Sequence, residues 1–348
     1  RQLLLLMLLL SITYTVKSQS LVSFADSIRK VYKIPALAYA VVSSDEIIET
    51  QVVGIRRVNT TYTSRITDKF HIGSNTKGIT AFIAAQLVHD GKLKWETNFL
   101  ELFPELRPKK IRDYDSITLK DLLTHRAQLQ PYTYTNEKPT QKQIMGDNAT
   151  QRYLLAKYFL SQKPATEDEN RLTRSNANYV LAGLMLEKAT GRSYKDLVDD
   201  LNNLLEIKFG FDYPNATDTF QPYGHDKDLN IIQPFDNYKL NWLLTAGNIN
   251  SNITDYATFM QLLLIGLKGE SDLLTQKEYN NLLFGMPHFS FGWFNKIDKE
   301  TNHHIAYNEG NAGAFISHAE ILLKKRIKHT LSLPMLLHHK HQKVLPYC

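Results

Sequence analysis

Hydrophobic and polar positions repeat with different periods in different parts of the chain. β-Branched residues are concentrated in 37–43 and 46–57, which predicts a β-hairpin. From 76 to about 205 the apolar residues recur at helical spacing, with Gly91 and Gly191 at two predicted helix ends. Strand patterns then return in three short segments, 288–295, 303–308 and 313–321.

Strand patterns near both ends and helix patterns in the middle predict the fold class. We expect an α/β protein of the α+β sandwich type, with one antiparallel sheet built from both termini and helices flanking it. An all-helical lobe would be inserted over about residues 78–240. An active site would lie in the crevice between the lobe and the sheet.

Composition excludes several classes of protein and divides the chain. A hydrophobic content of 43% and a charged content of 22% exclude a disordered tail protein and a multi-span membrane protein. The net charge is +6, but residues 322–348 hold six Lys and Arg and no acid, so the remainder is balanced. We therefore expect no nucleic-acid partner, because such binding needs a basic face on the folded body.

The first residues are typical of an export signal. Arg1 is followed by an apolar run over 3–10 and by small residues that end at Ser20. The run is too short to span a bilayer, and no cysteine follows that would accept a lipid anchor. We predict a signal peptide at 1–20, no stable membrane span after its removal, and a secreted or periplasmic protein of a bacterial envelope.

The segment FHIGSNTKG at 70–78 carries the most informative chemistry. Ser74 and Lys77 form an S-x-x-K pair at the start of a predicted helix, so both side chains lie on one face. A serine hydroxyl is a weak nucleophile, and a buried lysine with a lowered pKa would remove its proton. The alternative is a helix cap beside a solvated lysine, which is how we interpret the second S-x-x-K, Ser27 to Lys30.

Five stretches together resemble a known family. The chain is similar to the penicillin-recognising serine hydrolases of the class C β-lactamase type, which include D-alanyl-D-alanine carboxypeptidases and related esterases. The resemblance covers about residues 21–321, and it implies an acyl-enzyme mechanism. The stretches are FHIGSNTKGITAFIAAQLVHDGKL (70–93), ITLKDLLTHRAQL (117–129), RSNANYVLAGLMLEKATGRSY (174–194), TAGNINSNITDYATFM (245–260) and GNAGAFISHAEI (310–321).

The resemblance implies roles for the residues of the first two motifs. Ser74 would be the nucleophile and Lys77 the base. Asn176 matches the asparagine of the family's Y-x-N motif and would hydrogen-bond the substrate amide and Lys77. Arg174 occupies the usual tyrosine position, and a permanently charged arginine cannot accept a proton there.

The third motif is also altered. Asn308 replaces the family's cationic residue and would contact substrate as an uncharged hydrogen-bond donor. Gly310 matches the family's glycine and would let substrate lie along the strand. The backbone N–H groups of Ser74 and Asn311 would form the oxyanion hole. His303 and His304 lie nearby and would supply a cation or be surface residues of a strand, the second being the commoner case.

Two tyrosines in a loop, Tyr132 and Tyr134, have competing interpretations. They would line the cleft or cover the helical lobe, and we favour the second. Tyr134-Thr135-Asn136 is a literal Y-x-N, but it lacks the family's following helix and we interpret it as coincidental. His125 is expected to be a structural loop histidine.

The end of the chain departs from the family. Pro334 prevents the expected C-terminal helix, so we predict an atypical, spurious basic tail at 322–348. Metal binding by its histidines is a less favoured alternative; these are His338, His339 and His341.

These observations predict an exported serine hydrolase that acts on an amide or ester, such as a peptidoglycan peptide, a β-lactam or a small ester. We expect no metal, no cofactor, a small-molecule or peptide substrate and a monomer. Altered leaving-group machinery favours a weak enzyme. The alternative is a catalytically impaired envelope binding protein of the same fold. A metal-dependent hydrolase is disfavoured because the body has no H-E-x-x-H pair.

Overall fold

The computed structural model describes residues 20–109, 111, 113–165, 172–233 and 238–323, and the backbone of 328–333. The predicted signal peptide, apart from Ser20, lies outside this part of the chain, as do His338, His339 and His341 of the predicted tail. The strands in chain order are β1 (Ala36–Ser43), β2 (Ile47–Gly54), β3 (Phe70–His71), β4 (Gly210–Phe211), β5 (Gly224–His225), β6 (Ile231–Ile232), β7 (Ile249–Ser251), β8 (Phe294–Ile297), β9 (His304–Asn311), β10 (Ile316–Leu323) and β11 (Lys328–Leu333).

Helices occupy most of the middle of the chain. They are α1 (Leu21–Val31), α2 (Thr76–His89), α3 (Phe99–Leu102), α4 (Leu119–Leu123), α5 (Asn148–Leu160), α6 (Asn176–Thr190), α7 (Tyr194–Leu205), α8 (Lys239–Trp242), α9 (Leu244–Gly247), α10 (Ile253–Lys268) and α11 (Gln276–Phe284). Gly191 ends α6 in the left-handed conformation, as its position predicted.

The main sheet is antiparallel and joins both ends of the chain. Its strand order is β2-β1-β11-β10-β9-β8. The predicted fold class is therefore confirmed, but the lobe predicted as all-helical over about 78–240 also contains the short strands β4, β5 and β6. Two of the three late strands begin close to their predicted positions, but the segment predicted as a strand at 288–295 forms one only over 294–297. Gly292 has a φ of +84°, and this left-handed residue delays the start of β8.

Strand β11 lies in the middle of this sheet. It pairs with β1 on one side and with β10 on the other. The sheet thus includes residues beyond 321, where the sequence analysis placed the end of the domain. The spurious origin of residues 322–348 as a whole remains a prediction.

Helices cover both faces of the sheet because β1 is apolar on both sides. Leu37 and Tyr39 pack with Ala25 of α1, whereas Ala38 and Val42 join the main core on the opposite face. Helix α10 packs on that second face, against β1, β2 and β11. This sandwich places the main core between the sheet and the helical lobe.

Helix α2 is the central element of the molecule. It is buried on nearly every side and packs against α6, α9 and α11, which is typical of a helix that is apolar all round. The residues at its N-terminus therefore emerge between the sheet and the helical lobe. Among the described residues, every helix is too short or too polar to cross a bilayer.

Candidate active site

A tight turn delivers Ser74 to the cleft. Strand β3 leads into a short 3-10 turn at Gly73–Asn75, and α2 follows directly. Gly73 has a φ of +51°, and a Cβ on it would lie 2.6 Å from the backbone N of Asn311. Only glycine fits both the conformation and this close approach. The end of β9 is therefore held against the residue that precedes Ser74.

Ser74 and Lys77 are in direct contact. The Lys77 Nζ donates to Ser74 Oγ at 2.8 Å and to the carbonyl oxygen of Ala246 at 2.7 Å. Ser74 is half-buried, while Gly73 and Asn75 beside it are buried. The hydroxyl is thus the solvent-reachable member of a buried segment, with an amine placed to take its proton.

The ammonium of Lys77 is unusually easy to deprotonate. The side chain is 5% exposed and lies 5.4 Å from the ring centre of Tyr179. Burial, and to a smaller extent the positive charge of Arg174, lowers the pKa of Lys77 to about 7. A large fraction of this amine is therefore neutral near pH 7, as a general base must be.

Arg174 and Asn176 stand at the start of α6, on a fixed backbone. The Ser175 hydroxyl donates to the carbonyl oxygen of Gln130 and caps α6 by accepting from the N–H of Ala177. Arg174 is exposed, and its guanidinium lies 5.2 Å above the ring of Phe294. This charged group approaches Lys77 closely enough to repel its ammonium form.

The side chain of Asn176 is half-buried and has no hydrogen-bond partner in the part of the chain that the structure describes. The hydrogen bond to Lys77 that the resemblance implied is not made in this structure, because Lys77 donates instead to Ser74 and Ala246.

Asn308 has a different position from the one expected of a substrate contact. It is 2% exposed, and its Nδ2 donates to the backbone carbonyl oxygens of Ser74, at 3.1 Å, and Gly292, at 2.6 Å. Both amide hydrogens are therefore used within the protein. Asn308 fastens the nucleophile turn to the loop before β8, which corrects the expectation that it donates to substrate.

Gly310 is needed for packing. A Cβ on it would lie 2.0 Å from the carbonyl oxygen of Ile72 and 2.3 Å from Ser317 Oγ. The hydroxyl of Ser317 also donates to that Ile72 oxygen at 2.6 Å. The side of Gly310 that lacks a side chain therefore faces the backbone of Ile72. The sequence had predicted that substrate would lie there, and this expectation is wrong.

Asn311 joins β9 to a loop of the helical lobe. Its Oδ1 accepts from the N–H of Gly313 at 2.8 Å and from the Tyr134 hydroxyl at 3.0 Å. The Tyr134 loop is in turn held by Lys239, whose Nζ donates to the backbone carbonyls of Tyr134 and Asn136. This contact has no signal in the sequence beyond the aromatic character of the loop.

The two loop tyrosines therefore have separate positions. Tyr132 is 1% exposed and packs against Phe159, so it covers the helical lobe as expected. Tyr134 is half-buried beside Asn311, which corrects the preference for a purely covering role. The short Y-x-N that begins with Tyr134 thus lies next to the cleft.

Two histidines singled out in the sequence, His125 and His304, have structural surroundings. His125 is 3% exposed, lies within hydrogen-bonding distance of Asn178 and packs against the rings of Tyr179 and Phe289. His304 is exposed on β9, and its ring lies tilted against that of Phe284, with the ring centres 5.7 Å apart. Among the described residues, no cluster of three or more His, Cys, Asp or Glu is arranged to hold a metal ion.

The solved structures that resemble this chain share its fold. The octameric penicillin-binding protein homologue from Pyrococcus abyssi has a TM-score of 0.69 and 19% identity, over 90% of this chain and 72% of that one. FmtA from Staphylococcus aureus has a TM-score of 0.69 and 16% identity, over 92% of this chain and 84% of that one. At these identities the likeness shows the fold alone.

Sequence comparison shows the family. Protein flp of Staphylococcus aureus (strain N315) is 22% identical over 294 residues, which are 82% of this chain and 56% of that protein. The chain thus spans about half the length of the curated relatives it matches. The family model described as Beta-lactamase matches residues 23–296. The resemblance inferred from the motifs is confirmed, and the chain belongs to the beta-lactamase family.

Proposed function

We propose that this protein is a serine hydrolase that cleaves an ester or amide through an acyl-enzyme. The observation that carries the proposal is the 2.8 Å contact between Lys77 Nζ and Ser74 Oγ. The lowered pKa of Lys77, about 7, supports the role of its amine as the base. The half-buried hydroxyl supports the role of Ser74 as the nucleophile.

The proposed reaction begins at the substrate carbonyl. Ser74 Oγ forms a bond to the carbonyl carbon while its proton moves to the neutral Lys77 amine. The backbone N–H groups of Ser74 and Asn311 receive the developing oxyanion, and one such donor is typically worth about 3–4 kcal/mol. The tetrahedral intermediate then breaks its bond to the leaving group, which takes the proton from Lys77. Water releases the acyl group by the reverse sequence, with Lys77 as its base.

The residue at position 174 limits the leaving groups that react well. An arginine keeps its proton, so Arg174 supplies no second acid or base for the leaving group. Esters with acidic leaving groups need little protonation, whereas amides need a full proton transfer. Among the candidate substrates, we therefore expect small activated esters to react faster than peptidoglycan peptides or β-lactams.

A catalytically impaired binding protein is the second candidate. The exposed guanidinium of Arg174 favours it, because the group at this position cannot transfer protons. In this case the cleft would bind the same class of ligand without turnover.

Covalent labelling separates the two candidates. We expect a fluorophosphonate probe and a fluorescent penicillin to add their mass to Ser74, and Ser74→Ala to abolish the adduct. Ser27→Ala is the matched control, because Ser27 begins the second S-x-x-K but bonds to the Phe24 carbonyl in α1. Folded wild-type protein that neither probe labels, yet that retains ligand binding, would support the binding protein.

We further propose that the protein is exported to a bacterial envelope. The basic start, short apolar run and small residues of 1–20 support this, as does the absence of other cysteines before Cys348. Expression of the full chain in a bacterial host, followed by fractionation and N-terminal mass analysis, tests it. Intact protein that stays in the cytoplasm with residues 1–20 attached would contradict export.

A further inference from the structure

His71 is a buried titratable residue that the proposed reaction does not use. It ends β3, two residues before Gly73, and it is 1% exposed. Its Nδ1 lies 3.1 Å from the backbone N–H of Gly73, which donates to it. The imidazole therefore contacts the buried side of the turn at Gly73–Asn75, which carries the nucleophile.

A hydrogen-bonded chain determines which ring nitrogen of His71 carries the proton. The Nε2 lies 3.2 Å from Asn248 Oδ1. The amide orientation of Asn248 follows from Asp212, whose carboxylate accepts from Asn248 Nδ2 at 2.8 Å and whose backbone N–H donates to Oδ1 at 3.1 Å. Because Oδ1 only accepts, Nε2 must donate, and Nδ1 then keeps its lone pair for Gly73.

The same short segment also holds the base. Ala246, whose carbonyl oxygen accepts from Lys77 Nζ, lies two residues before Asn248. The backbone at 246–248 is thus linked to Lys77 directly and to Gly73 through His71. Gly73 in turn lies against the backbone N of Asn311. The separation of the nucleophile, the base and the oxyanion donors therefore depends on this network.

We propose that His71 is a positioning residue, which in its neutral Nε2–H form holds Gly73 and thereby sets the placement of Ser74 Oγ and the Asn311 N–H. The inference rests on the proposed function. His71 does not touch substrate. Its neutral form persists at ordinary pH because burial lowers the pKa of His71 to about 4, against the smaller opposing influence of Asn248 and of the Asp212 carboxylate.

Two polar replacements test the position of the acceptor. His71→Asn places an amide oxygen near the site of Nδ1, whereas His71→Gln reaches toward Asn248 and leaves Gly73 without an acceptor. We expect His71→Gln to lower kcat on p-nitrophenyl acetate about 10- to 100-fold with KM changed less than about threefold, since a misplacement of about 1 Å can cost 10²-fold. We expect His71→Asn to recover most of that loss.

A second histidine provides the matched control. His225 Nε2 also accepts a backbone N–H, from Val58 at 3.3 Å, but it lies on β5 in a separate two-stranded sheet. We expect His225→Gln to change kcat less than about twofold. Equal kcat values for His71→Gln and wild type would overturn the inference, as would equal losses in His71→Asn and His71→Gln. Neither result would contradict the proposed function, which is tested by the covalent adduct on Ser74.

The tautomer can be read without a variant. We expect ¹⁵N NMR of the wild-type protein to show the His71 Nδ1 as unprotonated and its Nε2 as protonated between pH 6 and 8. A protonated Nδ1 would overturn the positioning role. Failure of the proposed function would be distinct, because wild-type protein would then form no adduct on Ser74.

Discussion

The nucleophile turn and the start of α6 meet in one cleft but are built differently. In the first region the reacting side chains are held by the protein itself: Lys77 contacts Ser74, and Asn308 holds the Ser74 carbonyl. In the second region the backbone is fixed, but the side chains of Arg174 and Asn176 are exposed or half-buried. Given the proposed function, we expect attack by Ser74 on the substrate carbonyl to be retained more fully than proton transfer to the leaving group, because the nucleophile is fixed whereas its partner region is altered.

The base of the nucleophile region gives the largest expected effect. Lys77→Met removes the group that accepts the Ser74 proton, and we expect the second-order rate of acylation to fall about 10²- to 10⁴-fold. Stopped-flow or gel-based labelling with a fluorophosphonate measures it. A loss of less than tenfold would assign the base to another group.

The same variant has a consequence for stability. The folded-state pKa of Lys77 is lowered to about 7 from the ordinary 10.5, so the unfolded state binds more protons between these values. The buried ammonium therefore lowers the free energy of unfolding, and this destabilisation is fully present below pH 7 and disappears as the pH rises toward 10.5. We expect Lys77→Met to raise Tm more at pH 6 than at pH 10. A gain that does not depend on pH would contradict buried charge as the cause.

Two glycines with positive φ test the contact between the nucleophile turn and β9. Gly73→Ala would drive a Cβ into the backbone N of Asn311, whereas a Cβ on Gly91 meets nothing within 4 Å. In each variant the left-handed conformation of the introduced alanine costs about 1–2 kcal/mol. We therefore expect similar conformational penalties, but at least about a tenfold greater loss of acylation in Gly73→Ala. Equal labelling rates in the two variants would argue against an oxyanion role for Asn311.

The second region is tested by the pH dependence of acylation. Arg174→Gln removes a positive charge that disfavours the ammonium form of Lys77, so the pKa of Lys77 should rise. Because the neutral amine is the active form, the rate should fall a few-fold at pH 7 and recover at pH 9. A profile of labelling rate against pH measures the shift. Movement of the profile toward acid would contradict repulsion by Arg174.

The smallest expected effect concerns the loop that meets β9. Tyr134→Phe removes the hydrogen bond to Asn311 Oδ1, a contact worth about 1 kcal/mol. We expect a two- to fivefold lower acylation rate with little change in Tm, measured beside Tyr62→Phe, an exposed tyrosine elsewhere. Identical rates in the two variants would limit Tyr134 to a covering role.

The match between sequence and structure is best where interactions are local. The helix that follows Ser74, its spacing to Lys77 and the left-handed glycine that ends α6 depend on neighbours within a few residues. The hairpin of β1 and β2 is equally local. The nucleophile and base predicted from spacing are consequently in contact, although their roles remain a proposal.

The third motif was harder to interpret because its partners are distant in sequence. Asn308 and Ser74 are 234 positions apart, and Tyr134 and Asn311 are 177 apart. Matching the motif letter by letter assigned Asn308 and Gly310 to substrate. The structure shows that both meet the backbone of the nucleophile segment instead.

By itself the sequence determined the helical middle of the chain, the hairpin of β1 and β2, the approximate positions of β9 and β10 and the serine–lysine pair, because periodicity and short spacing act through adjacent residues of the chain. Only the tertiary structure decided which side chains surround that pair. Burial lowers the pKa of Lys77, His71 supports Gly73 and Tyr134 reaches Asn311 only after the sheet and the helical lobe have packed together. Such contacts have no signature in local pattern, since each depends on where the rest of the chain lies.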